Sequence, residues 1–124
     1  MEVETYFFDT YALYEITHAN QNYSPYMKNV KIITTKLNIM ELHYIFLRLY
    51  GKEKAEQVFD RFSEFCIEIE DAVIKEANEF KFSNREKNLS YVDCISYCIA
   101  RKFKVKFLTG DKEFKEMEGV EFVK

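Results

Sequence analysis

Asp9, Glu41, Asp93 and Asp111 each stand where a strand gives way to a helix, or one turn into a helix. Their settings are Phe7-Phe8-Asp9-Thr10, Asn38-Ile39-Met40-Glu41, Ser90-Tyr91-Val92-Asp93 and Leu108-Thr109-Gly110-Asp111. In an α/β sheet such places share the edge at which ligands bind. Carboxylates crowded into one crevice repel each other unless a cation joins them. Oxygen ligands without Cys or His select a hard cation, so the set points to Mg2+ or Mn2+ rather than Zn2+. Without the ion, at least one carboxyl should be protonated near neutral pH.

Each acid also has a structural use. Asp9 and Asp111 follow strands and could cap the helices after them. Ser90-x-x-Asp93 approximates a capping box, with Leu89 and Cys94 as its hydrophobic staple, and Asn38-x-x-Glu41 reads likewise. Taken singly, a cap is the better reading of each. The conjunction favours a shared site, because Asp9 and Asp111 end strongly apolar strands and Glu41 and Asp93 lie inside apolar helices, where an acid needs a partner. Helix N-termini carry partial positive charge, so capping and gathering carboxylates are compatible.

The elements that must position these residues follow from the apolar pattern. Strands are expected at Val3–Phe8, Lys31–Thr34, Cys66–Ile69, Val105–Thr109 and Val120–Val123. Helices are expected at Thr10–Ala19, Leu37–Tyr50, Lys52–Phe65, Glu70–Phe82, Ser90–Phe103 and Asp111–Met117. Asn20–Pro25 is the clearest loop, Gly51 ends a helix, and Ser83–Leu89 is a polar connection. In the second helix the broad apolar face through Leu37, Met40, Tyr44, Ile45 and Leu47 predicts burial. In the third, Ala55, Val58, Phe59 and Phe62 form the stripe. Strands alternating with helices mean a mainly parallel sheet of about five strands, covered on both faces in three layers.

The chain has 124 residues, which suits one domain over residues 1–124. A net charge of −3 argues against a sequence-independent DNA coat, yet four acids at a metal site would account for the whole imbalance. Three cysteines, Cys66, Cys94 and Cys98, read as buried reduced thiols. Their odd number, without a signal peptide, points to a reducing, cytoplasmic setting. No apolar run approaches the roughly 20 residues of a membrane span, so no membrane partner is expected.

In order and spacing these four stations resemble those of the PIN-domain nucleases, most closely the small VapC-type toxins of toxin–antitoxin modules. Asp9-Thr10 matches an acid ending the first strand, and Asn38-Ile39-Met40-Glu41 an acid one turn into a helix. Ser90-Tyr91-Val92-Asp93 matches Ser-x-x-Asp opening a helix. Thr109-Gly110-Asp111, with Phe114 soon after, matches a strand ending in Thr-x-Asp. The likeness spans nearly the whole chain. It departs at Tyr11, where many members have a small hydroxyl residue.

The resemblance implies metal-dependent hydrolysis of RNA phosphodiesters, with Asp9, Glu41, Asp93 and Asp111 holding one or two Mg2+ or Mn2+ ions. Thr10, Asn38, Ser90 and Thr109 would orient these ligands or their waters. Arg85, Lys87 and Lys112 lie near the acids in sequence and are candidates for substrate phosphates, although ordinary solvated charges explain them too. The implied partners are an RNA substrate, an antitoxin protein and a second copy of the chain in a homodimer. Leu42–Tyr50 and Val58–Phe65 are the apolar faces available for protein contacts. His43 lies on another helical face from Glu41, and His18 ends the first helix, so neither is assigned catalysis. Tyr6, Tyr11, Tyr14 and Tyr44 could stack on bases, though an aromatic core explains them equally.

Two other functions remain open. A module of this fold could bind RNA or protein without cutting. A haloacid-dehalogenase-like phosphohydrolase also ends its first strand in Asp, but needs a second Asp two residues on, where Tyr11 stands.

Overall fold

The computed structural model describes residues 3–124. Met1 and Glu2, counted in the expected domain, lie outside the described residues. Among the described residues there are four strands: β1 (Glu4–Phe8), β2 (Val30–Ile33), β3 (Lys106–Thr109) and β4 (Val120–Phe122). Five α-helices accompany them: α1 (Thr10–Thr17), α2 (Lys36–Tyr50), α3 (Lys52–Ser63), α4 (Asp71–Ser83) and α5 (Tyr91–Phe103). Two 3₁₀ turns, Gln21–Tyr26 and Lys112–Phe114, replace the expected Asn20–Pro25 loop and the expected Asp111–Met117 helix.

All strand pairs are parallel, in the order β2-β1-β3-β4. Period-two alternation divides the sheet's faces. Phe8 pairs with Leu108, and both pack with α1, α2 and α3. Phe7 pairs with Phe107, and both pack with α4 and α5. The result is the expected three-layer α/β/α arrangement. From β1 the chain passes to β2 on one side, while β3 flanks β1 on the other. The switch point between β1 and β3 is where such sheets open a crevice.

The fifth expected strand, Cys66–Ile69, is reduced to one parallel bridge from Cys66 to Thr34. Ile67 N–H donates to the Thr34 carbonyl at 3.0 Å, and the ladder stops there. The reason lies in its neighbour. Thr35 is already the N-cap of α2, so β2 offers no further extended backbone to pair with.

The expected face of α2 is also corrected. Met40, Tyr44 and Leu47 are exposed, and the helix buries Ile39, Leu42 and Phe46 instead. Both stripes satisfy helical spacing, so periodicity alone could not choose between them. In α3 the expected stripe holds, with Ala55, Val58 and Phe62 buried. Gly51 joins the two helices at φ +92°, a conformation that favours glycine.

Candidate metal centre

Asp9 leaves β1 directly above the switch point and caps α1. Its Oδ1 accepts from the Ala12 N–H at 2.8 Å, and its own N–H donates to the Leu108 carbonyl at 3.3 Å. The side chain is 5% exposed. Burial pushes its carboxyl up to about 8; hydrogen bonds from Thr109 and the Ala12 N–H oppose this, and the charges of Asp93 and Asp111 add to it.

Asp93 closes the capping box of α5. Its Oδ2 accepts from the Ser90 N–H at 2.9 Å, while Ser90 Oγ accepts from the Asp93 N–H at 3.0 Å. Burial raises its pKa, the Ser90 backbone bond opposes, Asp111 raises it further and Lys81 lowers it. Asp111 begins the Lys112–Phe114 turn, its Oδ1 accepting from the Glu113 N–H at 3.0 Å. The Thr109 hydroxyl accepts from the Asp111 N–H at 3.0 Å, and it also bonds Asp9, so one side chain ties two of the acids together.

Glu41 is held from the other side. Thr10 Oγ1 donates to its Oε1 at 2.6 Å. Asn38 Nδ2 in turn donates to Thr10 Oγ1 at 3.3 Å, and Asn38 Oδ1 accepts from Thr35 Oγ1 at 2.6 Å and Ser96 Oγ at 3.2 Å. Asn38, Thr35 and Ser96 are all buried. Burial raises the Glu41 pKa, the Thr10 bond opposes, and the Asp93 charge raises it further.

A cleft of about 600 Å³ opens over this edge, lined by Asp9, Asp93 and Asp111 together with Thr10, Tyr11, Lys112 and Lys124. Glu41 lines an adjoining groove of about 680 Å³ that shares Thr10 and Ile45 with the cleft. Three of the acids thus line one cleft and the fourth lies in the groove beside it, and none of the four takes part in the three ion pairs found among the described residues. Among those residues, no three Asp, Glu, His or Cys groups stand close enough to hold an ion between them.

The PIN domain family matches residues 6–120. The chain belongs to the PIN domain family. Its fold is shared with VapC20 of Mycobacterium tuberculosis, described as a sarcin-ricin loop cleaving toxin; the identity is 18%, the TM-score 0.79, and the match covers 96% of this chain and 99% of that one. A toxin–antitoxin complex from Klebsiella pneumoniae matches at 17% identity and TM-score 0.72, over 93% of this chain and 94% of that one. VapBC2 of Rickettsia felis, bound to a DNA fragment from its promoter, matches at 18% identity and TM-score 0.72, over 97% and 99%. These identities establish a likeness of fold. No curated protein sequence matches the chain significantly.

On this PIN fold the sequence-derived candidates separate. Asp9, Asp93, Asp111, Thr10 and Lys112 line the cleft, Glu41 lies beside it, and Asn38, Ser90 and Thr109 hold the acids through the bonds above. Arg85 and Lys87 line a different depression, with Lys81 and Tyr91. Tyr11 and Tyr14 line the cleft, and Tyr44 the adjoining groove, whereas Tyr6 packs edge-on against Tyr26. His18 caps the end of α1, and His43 stands 3.5 Å from Glu56.

Sequence reasoning missed Thr35 and Ser96, which hold Asn38, and Glu15 and Lys124, which line the cleft. Thr35-x-x-Asn38 carried a capping signal. Ser96 carried only its place among apolar neighbours. Lys124 enters the cleft because β4 pairs with β3, which no local pattern announces. The thiols are free, with Cys94 and Cys98 buried and burial pushing Cys98 up to about 11. Among the described residues, no helix is long and apolar enough to cross a membrane.

Proposed function

We propose that the chain is a metal-dependent endoribonuclease, the toxin of a two-component module in the cytoplasm. One observation carries this reading: Asp9 is buried and lines one cleft with Asp93 and Asp111, and none of the three is in an ion pair among the described residues. A carboxylate cluster so placed is stable as anions only with a cation among them.

The donor set fits Mg2+ or Mn2+, since it is all oxygen. A carboxylate accepts along about four lone-pair directions, so a cap bond at one oxygen leaves room for an ion. Asp9, Glu41, Asp93 and Asp111 are the residues that would hold it. Such an ion supplies an activated water and offsets charge on the phosphate undergoing attack.

The remaining roles belong to the chain. The Thr109 hydroxyl fixes Asp9 relative to Asp111. Thr10, oriented through Asn38, fixes Glu41, and Ser90 fixes Asp93. Lys112 and Lys124 stand in the cleft to meet substrate phosphates. An antitoxin partner is supported by the toxin–antitoxin complexes among the fold's relatives, and the exposed Met40, Tyr44 and Leu47 offer an apolar surface for it or for a second copy.

The deciding experiment is RNA cleavage in Mn2+ by wild type, Asp9→Asn and Asp93→Asn. Both variants should fold and fail to cut. Cleavage at the wild-type rate by either would overturn the assignment.

A further inference from the structure

We propose that the depression lined by Asn78, Lys81, Phe82, Arg85, Lys87 and Tyr91 binds a single RNA strand running on from the carboxylate cleft. The inference rests on the ribonuclease reading and names where its substrate lies. The depression measures about 410 Å³, and three cations but no acid line it. In a chain of net charge −3 with four acids at the adjoining rim, that is a local reversal of sign.

The aromatic side chains say what kind of polyanion fits. Phe82 and Tyr91 are 68% and 66% exposed, more than any other large hydrophobic residue among those described. Each ring has a cation over it. Lys81 Nζ lies 4.9 Å from the Tyr91 ring centre, and Arg85 Cζ lies 4.6 Å from that of Phe82. A cation on one face orients a ring and leaves the opposite face open. Alternating cations and open ring faces match the phosphates and bases of an unpaired strand. An acidic peptide would satisfy the cations and leave the rings in water.

The segments that line the depression are tied to those that carry the cleft's acids, although the two hollows share no lining residue. Lys81 Nζ donates to the Leu89 carbonyl at 2.5 Å, and its charge reaches Asp93. Tyr91 opens α5 two positions before Asp93. The Asn88 N–H donates to Glu113 Oε1 at 3.4 Å, binding the loop that carries Lys87 to the turn that carries Lys112. Arg85 uses one guanidinium nitrogen on the Phe82 carbonyl at 2.9 Å, which fixes the group and leaves its other donors for phosphate.

Binding of fluorescein-labelled random-sequence single-stranded RNA tests this, measured by anisotropy in Mn2+ on an Asp9→Asn background. Cleavage is followed in parallel with the otherwise wild-type chain. Arg85→Gln with Lys87→Gln should flatten the slope of log affinity against log salt by about 0.7 per lost phosphate contact. Phe82→Ala and Tyr91→Ala should each weaken binding about ten-fold and leave that slope unchanged. All four side chains are exposed, so the variants should fold, which circular dichroism verifies. If the parent binds and cuts RNA while all the variants bind as it does, the site is wrong and the nuclease reading stands. The site is equally wrong if the variants lose only affinity for a polyglutamate peptide, which would make the occupant an acidic protein segment. A parent that neither binds nor cuts RNA removes the nuclease reading and the site with it.

Discussion

Asp9 is pulled in two directions. Its ordinary value is 3.8, and its surroundings lift it to about 8. The unfolded chain therefore loses this proton near 4, while the metal-free folded chain keeps it until about 8. Between those limits the folded state binds more protons, so metal-free stability falls as pH rises through the window and levels off above it. The raised values of Glu41 and Asp93 steepen the acid end. Thermal melts in EDTA from about pH 4 to about pH 8 should show the decline. Asp9→Asn should flatten it and melt above wild type at the alkaline end, because Asn caps a helix as well as Asp. A wild-type melting temperature that stays level or rises across the window would refute this. At Gly110 the constraint is steric. A Cβ there would lie 2.2 Å from the Tyr11 ring and 2.5 Å from the Val123 carbonyl oxygen. Gly110→Ala should cost about 1–3 kcal/mol in denaturant melts. Adding Tyr11→Ser should recover only part of that, since the carbonyl remains. That Asp9, Asp93 and Asp111 stand at the starts of helices or turns was legible in the sequence, because each sits in a short recognisable context. The tight fit at Gly110 was not, because the Tyr11 contact depends on β1 lying beside β3 and the Val123 contact on the chain after β4.

At the scale of elements, three of the four candidate ligands also serve as caps: Asp9 and Asp111 are N-caps and Asp93 closes the capping box of α5, whereas Glu41 lies inside α2. Ser90→Ala should destabilise the protein by about 1 kcal/mol through loss of the cap, measured by urea melts. It should also slow RNA cleavage beyond what that loss explains, with Ser90→Thr restoring both. Unchanged cleavage by Ser90→Ala would separate the cap from the site. The start of α5 was legible because Ser90-x-x-Asp93 is a local code read over four residues. The face of α2 was not. Met40, Tyr44 and Leu47 compete with Ile39, Leu42 and Phe46 for the core, and only the packing of α1 and α3 decides. The Cys66–Ile69 segment has β composition but meets its neighbour where α2 has already begun.

For the whole molecule, the sheet order sets Asp9 and Asp111 at neighbouring strand ends, with Asp93 in the same cleft and Glu41 beside it, and an ion bound there should stabilise the fold. Mn2+ at about 100 times its Kd should add about 2.7 kcal/mol, read as a rise in Tm. The rise should be larger near pH 8 than near pH 5, since carboxylates must shed protons to bind. Equal shifts at both pH values, or an undiminished shift in Asp9→Asn, would place the ion elsewhere. Alternating strands and helices made the three layers legible, but the cleft needed the strand order, which brings the last residues beside the first acid. The Val123 N–H donates to the Thr109 carbonyl at 2.9 Å, and the Val123 carbonyl accepts from the Tyr23 hydroxyl at 2.5 Å. Lys124 then reaches the cleft. A purification tag or fluorescent fusion attached after Lys124 would thus emerge at the mouth of the cleft, whereas Glu4 begins β1 at the opposite end of the sheet.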